Sequence, residues 1–333
     1  MSETRLTLDE VDDLARRAFL ASGCDEANAA ALTRTVWRAE RDGAKSHGLY
    51  RVPALIAAIA SGKADGEAVP RIDSIDGVVI QMDGAAGYAP TAHAVGLPEL
   101  AMLAKAQGMA ALAIRNVFHF AALWPEVETL TDEGLAGIAM TASPPYVAAA
   151  GGKRPVFGTN PIAFGWPRAD GAPPVVFDMA TSFSARGEVA IAARDGHDAP
   201  DGAGIDADGN PTNDPNEILK GAQLPFGGYK GAALALMVDL LAGPLMGEAT
   251  SLEIKARDDG KGPALGGQLI IAMDPARFGG GEAVAAGERL FADLTSEPGV
   301  RLPGDRRAAE RPKTPVDGVV IPTSLYETIK ALT

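Results

Sequence analysis

The residues Lys45-Ser46-His47-Gly48-Leu49-Tyr50-Arg51 place an imidazole beside a hydroxyl, with a guanidinium four positions on. Imidazole gives or takes a proton near neutral pH, Ser46 lies close enough to orient a ring nitrogen, and the planar guanidinium of Arg51 suits a carboxylate. Together they are equipment for moving a proton on a substrate gripped by its carboxylate. A surface loop capping the next helix uses the same residue types, and residue chemistry alone leaves both readings open.

The chain has three other histidines. His119 follows an apolar run and begins His119-Phe120-Ala121-Ala122-Leu123-Trp124, at a strand end, where α/β proteins bind ligands. His93 lies in an apolar helical pattern, where a structural role is the default, and His197 sits in a polar loop. Gly158-Thr159-Asn160-Pro161 closes a glycine-rich connection and either binds a small anion or makes a tight turn. Gly227-Gly228-Tyr229-Lys230-Gly231 opens an apolar helix, so its backbone donors suit a pyrophosphate, with ordinary helix entry as the competing view. Arginines at 301, 306, 307 and 311 surround Pro303-Gly304-Asp305, and they read as a site for an anion such as a 2′-phosphate or as a solvated charge run.

The common signatures fail. Gly202-Ala203-Gly204 resembles a dinucleotide fingerprint but lies in a polar loop, without the strand and helix that give it meaning. The Asp206-Ala207-Asp208-Gly209 run has its glycine out of place for a calcium loop, and no Walker loop, zinc spacing or Gly-x-Ser-x-Gly elbow occurs. A nucleotide, if bound, is held in another way.

Periodicity supplies the elements that must carry these groups. Thr7-Leu8-Asp9-Glu10 is a capping box that opens a helix ended by Ser22-Gly23, and a second helix runs from Asp25 to Asp42-Gly43. Pro53 marks the first turn of a third, which places His47 in the connection entering it. Beyond Arg71, strands alternate with helices: strands at Val78 to Met82, Ala110 to Arg115, Leu135 to Thr141, Val175 to Asp178 and Gly267 to Met273. Helices are expected at Thr91 to Gln107, Leu123 to Asp132, Ala185 to Ala193, Gly231 to Leu241 and Glu282 to Asp293. Asp195 to Gln223 holds a polar loop, Asp206 to Pro215, too rich in turn formers for regular structure, and the chain closes with a strand at Val319-Val320-Ile321 and a helix capped by Ser324 to Glu327. Three parts are expected: a helical one at 1–70 packing with 226–295, an α/β one at 71–225 completed by 296–333, and the mainly helical 226–295.

Composition bounds the partners. With 30 basic against 43 acidic residues the net charge is −13, which argues against nucleic acid and anionic membrane surfaces. The single Cys24 precludes an intrachain disulfide and fits a reducing compartment, and the N-terminus carries no apolar leader pattern. A cytoplasmic protein is expected.

Several motifs taken together resemble the malate/L-lactate dehydrogenase family that lacks a Rossmann fold. They are Ser46-His47-Gly48 with Arg51, Gly151-Gly152-Lys153 through Gly158-Thr159-Asn160-Pro161-Ile162-Ala163-Phe164, Asp208-Gly209-Asn210-Pro211-Thr212, and Lys230-Gly231. Within it, His119 to Trp124 is similar to the version in Δ1-piperideine-2-carboxylate/Δ1-pyrroline-2-carboxylate reductases. The resemblance implies an α/β (α+β) fold with a mixed-sheet cofactor domain and a helical domain, a homodimer, and no metal. It implies NADPH-dependent reduction of a small cyclic imino acid, with NADH as the less favoured cofactor and a malate, L-lactate or ureidoglycolate dehydrogenase as the alternative. A non-catalytic metabolite-binding protein is the remote one.

Residue by residue, the resemblance implies His47 as proton donor, with Ser46 and Glu188 as its relay, Glu188 standing where the family often has aspartate. It gives Arg51 and Thr159 to the substrate carboxylate. The cofactor would run along His119, Phe120, Ala121, Ala122 and Leu123, then Asp178, Met179 and Ala180, then Tyr229 and Lys230. It would finish at Gly304, Asp305, Arg306, Arg307, Ala308, Ala309 and Glu310, with Arg306 or Arg307 suited to a 2′-phosphate. Tyr229 stands where relatives often have histidine.

Overall fold

The computed structural model describes residues 2–119, 122–257 and 265–333. Its centre is a seven-stranded sheet in the order Arg71–Asp76, Val79–Asp83, Met109–Phe118, Leu265–Met273, Ala136–Thr141, Ile162–Trp166, Val175–Met179. Only Val79–Asp83 and Met109–Phe118 run parallel; the other neighbours are antiparallel, so the sheet is mixed.

Period-2 alternation sends side chains to both faces. On Met109–Phe118, Leu112 and Ile114 join the helices Ala89–Gln107 and Trp124–Asp132, through Leu97, Leu100, Val127 and Leu130. Ala113 points the other way, and with Met140 and Leu269 it packs under Val238 and Ala242 of the helix Tyr229–Ala242. Ala89–Gln107 comes so near the sheet that a Cβ on Gly96 would stand 2.7 Å from Leu112 Cδ2. Glycine there is a condition of the packing.

The helical layer that carries His47 is built from Leu8–Ala21, Glu26–Arg41 and Val52–Ala60. Phe19, Leu32, Val36, Leu55 and Ile56 form its core with Tyr88 and Phe118. Val319, Ile321 and Ile329 from the other end of the chain complete it. The strand Glu3–Leu6 pairs antiparallel with Val319–Pro322. Partly buried ion pairs join this layer to the helix Trp124–Asp132: Arg311 bridges Asp42 and Glu128, and Arg38 Nη2 reaches Glu128 Oε2 at 2.9 Å.

The strand Leu265–Met273 lies between Met109–Phe118 and Ala136–Thr141, so the mainly helical 226–295 also supplies the middle strand of the sheet. Two expectations change. The polar loop Asp206 to Pro215 is not wholly irregular: its last residue opens the helix Pro215–Lys220, and its Pro211–Thr212 joins Gly204–Ile205, Ala222–Gln223, Val147–Ala148 and Pro155–Phe157 in a small five-stranded sheet. Its strands are two or three residues long, below the length at which alternation is readable. The last helix, Thr323–Lys330, starts after Pro322, so Ser324 lies inside it rather than capping it.

Candidate active site

His47 ends a short 3₁₀ turn, Lys45–His47, and a second, Leu49–Arg51, leads into Val52–Ala60. What fixes this pair of turns is Glu40, buried at 4% exposure, whose Oε1 accepts the Leu49 N–H at 2.7 Å. The carboxylate passes over Gly48, where a Cβ would stand 2.1 Å from Oε1. Glycine between His47 and Leu49 is therefore a steric requirement. Burial pushes the Glu40 carboxyl up to about 7, against the Leu49 hydrogen bond and the charge of Lys45.

Ser46 Oγ lies 2.9 Å from His47 Nδ1, so the hydroxyl orients the ring as its position suggested. Burial, with the charges of Arg51 and His119, pushes the imidazole down to about 4. The ring is neutral at physiological pH. Its edge meets Trp124, centroid to centroid 6.3 Å at 85°.

Trp124 joins the proton-transfer cluster to the sheet. Its Nε1–H donates to Asp42 Oδ2 at 3.2 Å, its face carries the Arg307 guanidinium at 5.5 Å, and its backbone N–H donates to Asp178 Oδ2 at 3.0 Å. Leu123 N–H donates to the same oxygen at 2.6 Å. Burial pushes the Asp178 carboxyl up to about 6, as does the nearby charge of Glu126, although both N–H donors and Arg307 oppose it. Asp178 thus holds the N-terminus of Trp124–Asp132 in addition to standing on the expected cofactor path.

The remaining expected residues fall into two neighbouring groups. Thr159 O accepts from Thr181 N at 2.8 Å, and Thr181 O from Phe226 N at 3.1 Å, which ties Thr159 and the strand end Met179-Ala180 to the glycine turn before Tyr229 and Lys230. Gly227 and Gly228 have φ of 55° and 63°, and Tyr229, Lys230 and Met179 are exposed at this edge. The helix Asp305–Glu310 begins at Gly304, which is in the left-handed region, and docks on Val175–Met179 through Val176 N to Pro303 O at 3.0 Å. Arg306 is exposed, whereas Arg307 donates to Val176 O at 2.8 Å and stacks on Trp124. Asp305 accepts from Leu302 N, Glu310 pairs with Lys313, and Ala308 and Ala309 complete the helix. The donor set fits an anionic cofactor: a helix N-terminus with Lys230 at one place and an uncommitted guanidinium at another.

Glu188 is the exception. Its Oε2 accepts the Ala185 N–H at 3.3 Å and it is exposed, so it caps its own helix, Arg186–Asp195, and among the described residues makes no hydrogen bond to Ser46. The expected relay from Ser46 to Glu188 is not formed. Phe120 and Ala121 lie outside the described residues.

Residue types did not single out Glu40, Glu126, Tyr146 or Gln268. Tyr146 lies under the Arg186 guanidinium at 4.6 Å, and burial pushes the Arg51 guanidinium down. The one available signal was Gln268, a lone amide in the middle of an apolar strand.

Because the folded pKa of Glu40 lies above its ordinary 4.5, its stabilising contribution is full below pH 4.5 and declines as pH rises toward 7. Glu40→Gln keeps an acceptor for Leu49 N–H and cannot ionise. Denaturation measured from pH 4.5 to 8 is expected to show that decline, roughly 3 kcal/mol, in the wild type and not in Glu40→Gln; parallel curves would contradict the assignment.

Comparison with known proteins gives the same picture over the whole length. A family model described as malate/L-lactate dehydrogenase matches residues 6–330. The chain is 45% identical to Delta(1)-pyrroline-2-carboxylate reductase of Ancylobacter novellus, over 98% of this chain and 97% of that one. It is 46% identical to Delta(1)-pyrroline-2-carboxylate/Delta(1)-piperideine-2-carboxylate reductase of Pseudomonas aeruginosa, over 98% and 99%. Among solved structures it matches delta1-piperideine-2-carboxylate reductase from Pseudomonas syringae pvar. tomato with a TM-score of 0.94 and 42% identity, covering 99% of this chain and 100% of that one. Sulfolactate dehydrogenase from Methanocaldococcus jannaschii follows at TM-score 0.90 and 28% identity, over 99% and 96%. A mixed sheet without a dinucleotide fingerprint, the Ser46-His47 pair set against Trp124, and full-length similarity all lead to one assignment: the chain belongs to the malate/L-lactate dehydrogenase family.

Proposed function

We propose that the protein is an NADPH-dependent ketimine reductase that converts Δ1-pyrroline-2-carboxylate and Δ1-piperideine-2-carboxylate to L-proline and L-pipecolate. The observation that carries this reading is the oriented Ser46-His47 pair packed on Trp124, in a chain more than 40% identical over its length to enzymes named for those imines. The bound nicotinamide supplies a hydride to C2 of the imine. Everything else is the work of this chain's residues.

Arg51 grips the substrate carboxylate, with Thr159 as a second contact. Arg51 is also the second cause, after burial, of the low His47 basicity. Pairing its charge with a carboxylate removes that cause, so substrate binding itself raises the affinity of His47 for a proton. The proton then passes to the imine nitrogen as C2 is reduced, and the C=N bond becomes CH–NH. Ser46 on Nδ1 leaves Nε2 for this transfer. General acid catalysis of this kind is worth about 10²–10⁴-fold.

His47→Ala is expected to bind NADPH and to lose roughly 10²-fold or more in kcat; an unchanged kcat would remove His47 from the mechanism. The decisive assay follows NADPH absorbance with both ketimines, and with pyruvate and oxaloacetate as competitors for the assignment. Reduction of the 2-oxo acids in preference to the imines would overturn it.

Of the two candidates for the 2′-phosphate, Arg306 is the one we assign, since Arg307 is committed to Val176 O and Trp124. Arg306→Ala is expected to raise KM for NADPH roughly tenfold while leaving KM for NADH unchanged, the size of a lost charged hydrogen bond. Equal effects on both cofactors would place the phosphate elsewhere.

We further assign the chain to a homodimer. The N-terminal helices spend their apolar faces on their own core. Leu236, Leu240, Leu245 and Leu252 are exposed on and just after Tyr229–Ala242, and a second copy is the cover we propose for them. Light scattering is expected to give twice the chain mass, and Leu240→Glu to give a monomer; a wild-type monomer would refute the assembly.

A further inference from the structure

We propose that Asn160 is a positioning residue for the substrate carboxylate: its buried amide locks the turn Gly158-Thr159-Asn160, so that the Thr159 hydroxyl is presented to the carboxylate from a fixed backbone. The inference rests on the reading that Thr159 is a contact of that carboxylate.

Backbone conformation is the first sign. Five non-glycine residues among those described have positive φ, and Asn160, at 35°, is the buried one, with no exposure at all. The left-handed region is costly for a residue that carries a Cβ, and Pro161 adds its own restriction on the residue before it. Glycine takes this conformation freely, so a turn that needed only the shape would be served by glycine. An asparagine that bears the cost has a use for its amide.

That amide is spent on three separate stretches of chain. Oδ1 accepts the Ser143 N–H at 3.2 Å, just after the strand Ala136–Thr141, and the Ser251 hydroxyl at 3.4 Å, at the start of the helix Ser251–Arg257. Nδ2 donates to Ala235 O at 3.0 Å, on Tyr229–Ala242. Both serines then return to the turn. Ser251 Oγ accepts the Gly158 N–H at 3.0 Å, and Ser143 Oγ accepts the Thr159 N–H at 3.1 Å. Ser251, itself fully buried, is anchored by its own N–H on Asp239 Oδ1 at 2.8 Å. A Cβ on Gly158 would stand 2.2 Å from Ser143 Oγ and 2.5 Å from Asn160 Oδ1, so the network closes only around a glycine.

One polar group of Thr159 is left over. Its N–H is on Ser143, and its carbonyl accepts both the Thr181 N–H at 2.8 Å and the Thr181 hydroxyl at 3.0 Å. Among the described residues its hydroxyl meets only Ser143 Oγ, at 3.5 Å, and Thr159 is half-buried where Asn160 is sealed. With the backbone held on both sides, Oγ1 moves only through one staggered torsion. A donor held in this way binds an anion better than a mobile one, because the entropy of ordering it is met on folding and not on binding.

The test is a cycle of variants read as KM. Asn160→Gly permits the left-handed backbone and removes the amide; it is expected to raise KM for the acid substrate roughly tenfold, the size of one hydrogen bond to a charged group, with KM for NADPH unchanged. Thr159→Ala is expected to do the same. Adding Asn160→Gly to Thr159→Ala is expected to change nothing more, since Asn160 acts through Thr159. Effects that multiply, an equal rise in KM for NADPH, or an unchanged acid KM in Asn160→Gly would each overturn the proposal. If Asn160→Gly does not fold, Ser251→Ala carries the same cycle: it leaves residue 160 in place and removes the hydroxyl between Gly158 and Asn160. A roughly threefold rise in acid KM is expected, and only with Thr159 present; no rise, or one that persists in Thr159→Ala, would overturn the proposal. The acid is whichever of the two ketimines, pyruvate and oxaloacetate the wild type reduces best. Reduction of a 2-oxo acid alone defeats the proposed activity and leaves this inference to stand on that acid, which carries the same carboxylate. Reduction of none defeats both, and an unchanged acid KM in Thr159→Ala removes the contact and this inference with it.

Discussion

Trp124 is held by groups from four parts of the chain. Asp42 takes its indole N–H, Asp178 takes its backbone N–H, Arg307 covers its face and His47 packs against it at a right angle. These partners come from the second helix, the last sheet strand, a C-terminal helix and the His47 turn, so one side chain sets the distance between the helical layer and the sheet. A buried polar network of this kind is costly unless complete, and completeness is what makes the spacing unique. Arg311, bridging Asp42 to Glu128, closes it from the far side.

Low basicity at His47 has the same origin. The ring is enclosed by the layer contact and lies near Arg51 and His119, two groups that disfavour a second positive charge. Its proton affinity is thus governed by what pairs with Arg51. Charge neutralisation at one end of a substrate can in this way ready the acid at the other, without movement of either residue.

Much of this was legible in the sequence, and the rest was hidden for definite reasons. The capping box at Thr7, the helix stop at Gly108 and the buried strand from Met109 are local, and all appear where periodicity puts them. Ser46, His47 and Arg51 are close in sequence, so their chemistry could be read directly. Glu40 is seven residues from His47 but on another element, and Gln268 is 149 positions from His119; only the fold brings them in. Family resemblance suggested Glu188 for the relay, and the structure uses that carboxylate as a helix cap instead, a local bond that wins over a distant one. The small sheet around Gly204 escaped because two-residue strands have no period to detect.

The pairing of Glu3–Leu6 with Val319–Pro322 joins segments far apart in the chain, and it brings Val319 and Ile321 into the core of the helical layer. The turn bearing His47 stands on that layer, so the proton-transfer group depends on a contact of long sequence separation, the kind whose closure entropy must be met before its burial is gained. Loosening that one strand pair would loosen the footing of His47 without touching any residue of the site.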